Sequence, residues 1–211
     1  MFEDNPPRLE LLSPQDMDDA QRALYDAITG GPRSTQRGTV PITDADGRLV
    51  GPFAVMLLSP EVGDAVQRVG AALRFTTSLT AREREVAILA VAAGARCDFE
   101  WLAHSAAARN AGITQPQRDS IRDGRVAEGL SDTEYAACRL AQTMTAHRNL
   151  PDADYEAGMS VLGQAKLAEL TWLVGYYLAL ALALAVFRPA LPESFRSLDD
   201  SEAGTHALGE D

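Results

Sequence analysis

Five times along this chain a Ser or Thr stands where a helix would begin, backed within three residues by Pro, Glu, Gln or Asp. Ser13-Pro14-Gln15-Asp16 and Ser59-Pro60-Glu61 join a hydroxyl cap to a Pro in the first turn, where a missing N–H costs nothing. Thr80-Ala81-Arg82-Glu83 and Ser131-Asp132-Thr133-Glu134 have the spacing of a capping box, and Thr114-Gln115-Pro116-Gln117 is a looser version. Apolar residues follow at helical spacing, such as Met17, Ala20, Leu24 and Ile28, or Val62, Val66, Val69 and Leu73. Only Gly47 to Val55 alternates with period two, and weakly. These signals predict an all-α chain of about seven to eight helices.

Punctuation divides the chain. Thr29-Gly30-Gly31-Pro32 ends the first helix. A long polar connection then runs to Pro52, a length that suits a lid, an arm over a neighbour or a mobile segment. The organisation expected is an N-terminal helix and connecting arm over 1–58, a helical domain over 59–196 and an acidic, disordered tail over 197–211. Leu170 to Phe187 carries no formal charge. Its length reaches the lower limit for a membrane span, but nothing basic flanks it as a cluster, so the expectation is a helix covered on all sides by the core and a second subunit.

Charge and cysteine content restrict partners. A formal charge of −11 without a run of Lys or Arg argues against nucleic acid. Two cysteines, Cys97 and Cys138, make no disulfide framework and suit a reducing compartment, and no signal peptide is read at the start. The expected setting is cytoplasmic, with no membrane partner.

The chemistry concentrates in Cys97-Asp98-Phe99-Glu100-Trp101-Leu102-Ala103-His104. If Cys97 opens a helix, residues 97, 100 and 104 share one face. Cys97 would then have its thiolate favoured by the free N–H groups of the helix start. Glu85, on the preceding apolar helix, falls on the same side as Ile88 and Leu89, and a carboxylate buried there needs a partner. Phe99, Trp101 and Cys138 read as core, and His147 as a charge complementing a helix end. Cys97, Glu100 and His104 form one cluster without a second paired motif, so neither metal nor cofactor is expected.

Taken together, Leu79-Thr80-Ala81-Arg82-Glu83-Arg84-Glu85, the Cys97 to Trp101 run, His104 and Ala111-Gly112-Ile113-Thr114 resemble the carboxymuconolactone decarboxylase family. That family belongs to the alkylhydroperoxidase D-like (AhpD-like) superfamily. Gly51-Pro52-Phe53 through Phe75 resembles its lead-in, and Leu170 to Leu191 its closing helix in longer members. The resemblance implies an all-α subunit in homotrimers or homohexamers, acting on a small molecule by lyase or thiol-peroxidase chemistry. The peroxidase motif has a Glu, a C-x-x-C pair and a His, which fall here on Glu85, Cys97, Glu100 and His104. Glu100 occupies the place of the second cysteine, and a carboxylate can neither attack nor resolve a disulfide. The expectation is therefore acid/base decarboxylase-like chemistry at His104, oriented by Glu85 or Glu100, with Arg96 a guess for the cation that holds a carboxylate substrate. Peroxidase action through Cys97 and a non-catalytic helical oligomer are the alternatives.

Overall fold

A computed structural model describes residues 6–31 and 41–191 of the chain. Among them are eight α-helices: α1 (Asp19–Thr29), α2 (Pro52–Met56), α3 (Pro60–Phe75), α4 (Ala81–Gly94), α5 (Asp98–Asn110), α6 (Gln115–Arg122), α7 (Asp132–His147) and α8 (Asp152–Phe187). No strand occurs among the described residues, and the two isolated bridges pair Leu9 with Pro189 and Thr43 with Leu49. The all-α expectation holds.

The capping signals of Thr80, Thr114 and Ser131 all close both bonds of the box, each hydroxyl accepting from the third residue's N–H and that residue's side chain accepting in return. The first start differs. Ser13 caps only a three-residue 3-10 turn over Pro14–Asp16, and α1 begins after Asp18. Asp18 accepts from Gln21 N–H at 2.8 Å while Gln21 Oε1 accepts from Asp18 N–H, a reciprocal bond that Ser13 lacks.

α4 is the central post of the fold. Val86, Ala87, Ile88 and Leu89 are wholly buried, enclosed by α5, α6, α7 and α8. That enclosure explains why the helix is apolar all round after its first turn. The first turn is bolted down. Glu83 caps the helix and accepts from Lys166 Nζ of α8 at 2.8 Å on both oxygens. Arg82 donates to Glu134 of α7 at 2.6 and 3.1 Å and to the Gly112 carbonyl between α5 and α6. Each such partly exposed tie is worth on the order of 1 kcal/mol.

In α3 the buried residues are Gly63, Gln67, Gly70 and Leu73, whereas Val62 and Val69 are exposed. The inner face is made of small residues because α2 lies close: a Cβ on Gly63 would run into the Met56 carbonyl and the Leu24 side chain. In α8 only one face is covered, by Leu170, Leu173, Val174, Tyr177, Leu180, Ala181 and Leu184, while Trp172, Leu182, Val186 and Phe187 are exposed on the single chain. By length and composition α8 could cross a membrane, and its backbone leaves helical geometry at Gly163.

Residues 32–40 of the Gly30–Pro52 connection, and the acidic tail, lie outside the described residues. Residues 41–51 are a built turn. Asp44 accepts from the backbone N–H of Asp46 and Arg48 and from Arg48 Nε, and the Tyr25 hydroxyl donates to the Gly47 carbonyl at 2.9 Å. The turn ends at Gly51, whose φ of +60° suits glycine, and the ring of Phe99 lies directly over its Cα. The weak alternation read over Gly47 to Val55 therefore belongs to this turn and to α2.

Candidate active site

Cys97 is the N-cap of α5 and makes no side-chain cap bond, and Asp98 is the first helical residue. From there Glu100 and His104 stand one turn apart on the inward face of α5, and Glu85 reaches them from the neighbouring α4. His104 Nδ1 lies 2.7 Å from Glu85 Oε2, and its Nε2 lies 3.6 Å from Glu100 Oε2. All three side chains are buried. The structure thus brings together the three acid/base residues expected from the sequence. The pairing also answers how α4 tolerates an inward carboxylate: His104 satisfies it.

The two carboxyls are shifted in opposite directions. Burial works to raise Glu85, but His104, with Arg74 and Arg84 beyond it, brings its carboxyl below the usual range. Burial raises Glu100, Glu85 adds to the effect, and the attraction of His104 and Arg74 does not reverse it. Glu85 is thus favoured as the carboxylate, and Glu100 is shifted toward the acid form. With Glu85 accepting, Nδ1 carries a proton and Nε2 faces Glu100. Glu100 Oε1 is buried and has no hydrogen-bond partner. Glu100 and the imidazole Nε2 therefore face each other across 3.6 Å, a gap slightly longer than a hydrogen bond.

This asymmetry has a pH signature. Glu100 is raised in the fold, so its contribution to stability is complete below the ordinary Glu value of about 4.3 and is lost as pH climbs through its folded value. Glu100→Gln keeps a neutral polar group and cannot ionise. Urea midpoints measured from pH 5 to 9 should show the variant gaining on the wild-type chain as pH rises toward the folded value of Glu100. A constant difference across that range would mean that Glu100 is ionised throughout.

Cys97 departs from expectation. Burial pushes its thiol up to about 12, against the lowering influence of the Glu100 and Phe99 N–H groups. It packs with Ala181 and Leu184 of α8 and with Ala95 and Phe99. The helix start does favour the thiolate, but a thiol sealed among apolar groups loses more by desolvation than the N–H groups return. Cys138 is fully buried and likewise pushed up to about 12. Trp101 is core, with the Arg122 guanidinium 5.2 Å over its ring, and His147 is exposed in the last turn of α7.

Arg96 is not the cation of this site. It is an exposed left-handed residue in the turn between α4 and α5. The cations beside the dyad are Arg84, whose Nε lies 3.5 Å from Glu85 Oε1, and Arg74 of α3. Burial weakens the charge on Arg74, but Tyr177, Glu85 and Glu100 more than restore it. Tyr177 of α8 sets its ring perpendicular to the His104 imidazole, centroids 5.0 Å apart. Neither Arg74 nor Tyr177 was legible beforehand. The one sign for Arg74 was a charge one position after Leu73 on the buried side of α3, and Tyr177 was one aromatic in a uniformly apolar run.

Residues 60–143, from the start of α3 through most of α7, match the model of the Carboxymuconolactone decarboxylase family. The match contains Glu85, Cys97, Glu100 and His104, and it bears out the resemblance read from those positions. α8, with Tyr177, lies beyond it, as does the 51–59 lead-in. No curated protein matches the chain.

Proposed function

We propose that this chain is an acid/base enzyme of the decarboxylase type, acting on a small carboxylate or lactone, with His104 as the group that moves the proton. One observation carries the reading: the imidazole is held between two buried carboxyls, Nδ1 2.7 Å from Glu85 and Nε2 3.6 Å from Glu100, with Glu85 shifted down and Glu100 shifted up. In the reaction the bond to the substrate carboxylate breaks and carbon dioxide leaves. The electron pair stays on the substrate carbon, spread into an adjacent carbonyl, until His104 protonated at Nε2 delivers a proton to that carbon. Glu100 then returns a proton to Nε2 and is itself reprotonated from water. Glu85 balances the charge on the imidazolium, and Arg74 and Arg84 favour an anion near the pair.

The thiol-peroxidase alternative has less support. A Cys97 thiol pushed up to about 12 holds almost no thiolate at neutral pH, and Glu100 stands where a resolving thiol would be. We also propose that the bare outer face of α8 is covered by further copies of the chain, as trimers or hexamers in the cytoplasm rather than against a membrane.

The test is a panel of small lactone carboxylates and keto acids followed by carbon dioxide release, run beside hydroperoxide consumption with dithiothreitol as reductant. The expected result is carbon dioxide release that Cys97→Ser changes less than about threefold, since removing a packing thiol leaves the proton path in place. Peroxide reduction by the wild-type chain that disappears in Cys97→Ser would overturn the reading.

A further inference from the structure

A single hydrogen bond fixes the tautomer of an imidazole without fixing its plane. The bond from His104 Nδ1 to Glu85 leaves the ring free to swing about that line, which would carry Nε2 away from Glu100. Reaction at a proton-transferring nitrogen needs its lone pair aimed within a few tenths of an ångström and some ten or twenty degrees. Something must hold the plane.

We propose that Tyr177 is the positioning residue for His104, its ring clamping the imidazole plane so that Nε2 points at Glu100. It rests on the proton-transfer role of His104 argued above. Tyr177 is buried on the inner face of α8, and its ring meets the imidazole at an interplanar angle of 89°. The Tyr177 ring is in turn held on two sides. Tyr176 meets it edge-on, 5.3 Å between centroids, and Arg74 of α3 hydrogen-bonds to its hydroxyl. α8 cannot slide to move the ring, because Lys166 and Glu169 pin its earlier turns to Glu83 and to Ser78. The charged and titratable groups around His104 thus come from four helices: Glu85 and Arg84 from α4, Glu100 from α5, Arg74 from α3, and Tyr177 from α8. The last of these lies outside the stretch matched to the family.

The experiment reads the imidazole itself and needs no substrate. In protein labelled with nitrogen-15 at histidine, long-range proton–nitrogen correlation spectra give the tautomer of His104 across pH. The wild-type chain is expected to show one neutral tautomer, protonated at Nδ1. Tyr177→Phe keeps the ring and loses the hydroxyl, and it should retain that pattern. Tyr177→Leu removes the ring, so the two nitrogen shifts should move toward each other as a second tautomer or rotamer fills in. Should Tyr177→Leu fail to give a folded amide spectrum, Tyr177→Met, closer in volume, carries the same expectation. Any panel substrate that turns over should lose about 10–100-fold in kcat with the Leu or Met variant, with KM within twofold and the Phe variant within threefold of wild type.

An unchanged His104 spectrum in a folded Leu or Met variant would overturn the inference. So would equal effects of Phe and Leu, which would put the role in the hydroxyl rather than the ring. A chain that releases no carbon dioxide, yet shows one tautomer that only Leu or Met disturbs, would sink the reaction class and leave the clamp standing.

Discussion

His104→Gln is expected to lower turnover by about 10²–10⁴-fold, the usual contribution of a positioned general acid or base. The loss should fall on kcat, because the imidazole moves a proton in the transition state and contributes little to holding the ground state. Gln is the informative replacement. Its amide can donate to Glu85 Oε2, so the buried carboxylate keeps a partner. His104→Ala would strip that carboxylate of its hydrogen-bond partner and leave it only Arg84 and Arg74 nearby, and removing one partner of a buried pair costs about 3–5 kcal/mol in its own right. An inactive Ala variant would therefore confound loss of fold with loss of chemistry. Steady-state carbon dioxide release from whichever panel substrate is turned over makes the measurement, with a thermal melt beside it. Activity within a few-fold of wild type in His104→Gln would remove the imidazole from the chemistry.

Gly51→Ala is expected to be the most destabilising small substitution in the chain, by roughly 3–5 kcal/mol, combining backbone strain with overpacking. The φ of +60° is one that a side chain rarely adopts. A Cβ there would also overlap the Cζ, Cε1 and Cε2 atoms of the Phe99 ring, a flat wall rather than a flexible tip. Phe99 sits in α5 between Cys97 and Glu100, so its displacement should be felt at the site. Urea denaturation followed by far-ultraviolet circular dichroism gives the loss. Combining Gly51→Ala with Phe99→Leu should recover part of it, since the smaller side chain vacates the collision. A single variant as stable as wild type would mean that α2 and α5 can separate freely.

The sequence carried the fold well because helix boundaries are local. Thr80, Thr114 and Ser131 need only a partner three residues away, and each forms the bonds that its spacing predicts. Ser13 misled because the stronger reciprocal box of Asp18 and Gln21 lay five residues on. Faces were harder. Val62 and Val69 share helical spacing with Leu73, yet the buried side of α3 is set by how near α2 comes, a distance that α3 alone does not encode. The site divided in the same way. Glu100 and His104 were legible as one stripe on one helix, and Glu85 as a carboxylate on the wrong side of an apolar one. Arg74 and Tyr177 arrive from helices 30 and 73 positions away from His104, counting from residue 104 to 74 and to 177. The thiol of Cys97 was misjudged because α8 seals it.

The tethered start of α4 has one more consequence. Helix ends ordinarily fray, and their amides open independently of the rest of a protein. Here opening the first turn of α4 breaks ties to other elements: releasing Glu83 also releases Lys166, and releasing Arg82 frees Glu134 and the α5–α6 turn. Local breathing at this end is thus coupled to α7, α8 and the α5–α6 turn, each tie adding on the order of 1 kcal/mol to its cost. Glu85, two residues inside that turn, is spared the excursions a carboxylate near a helix terminus would normally make.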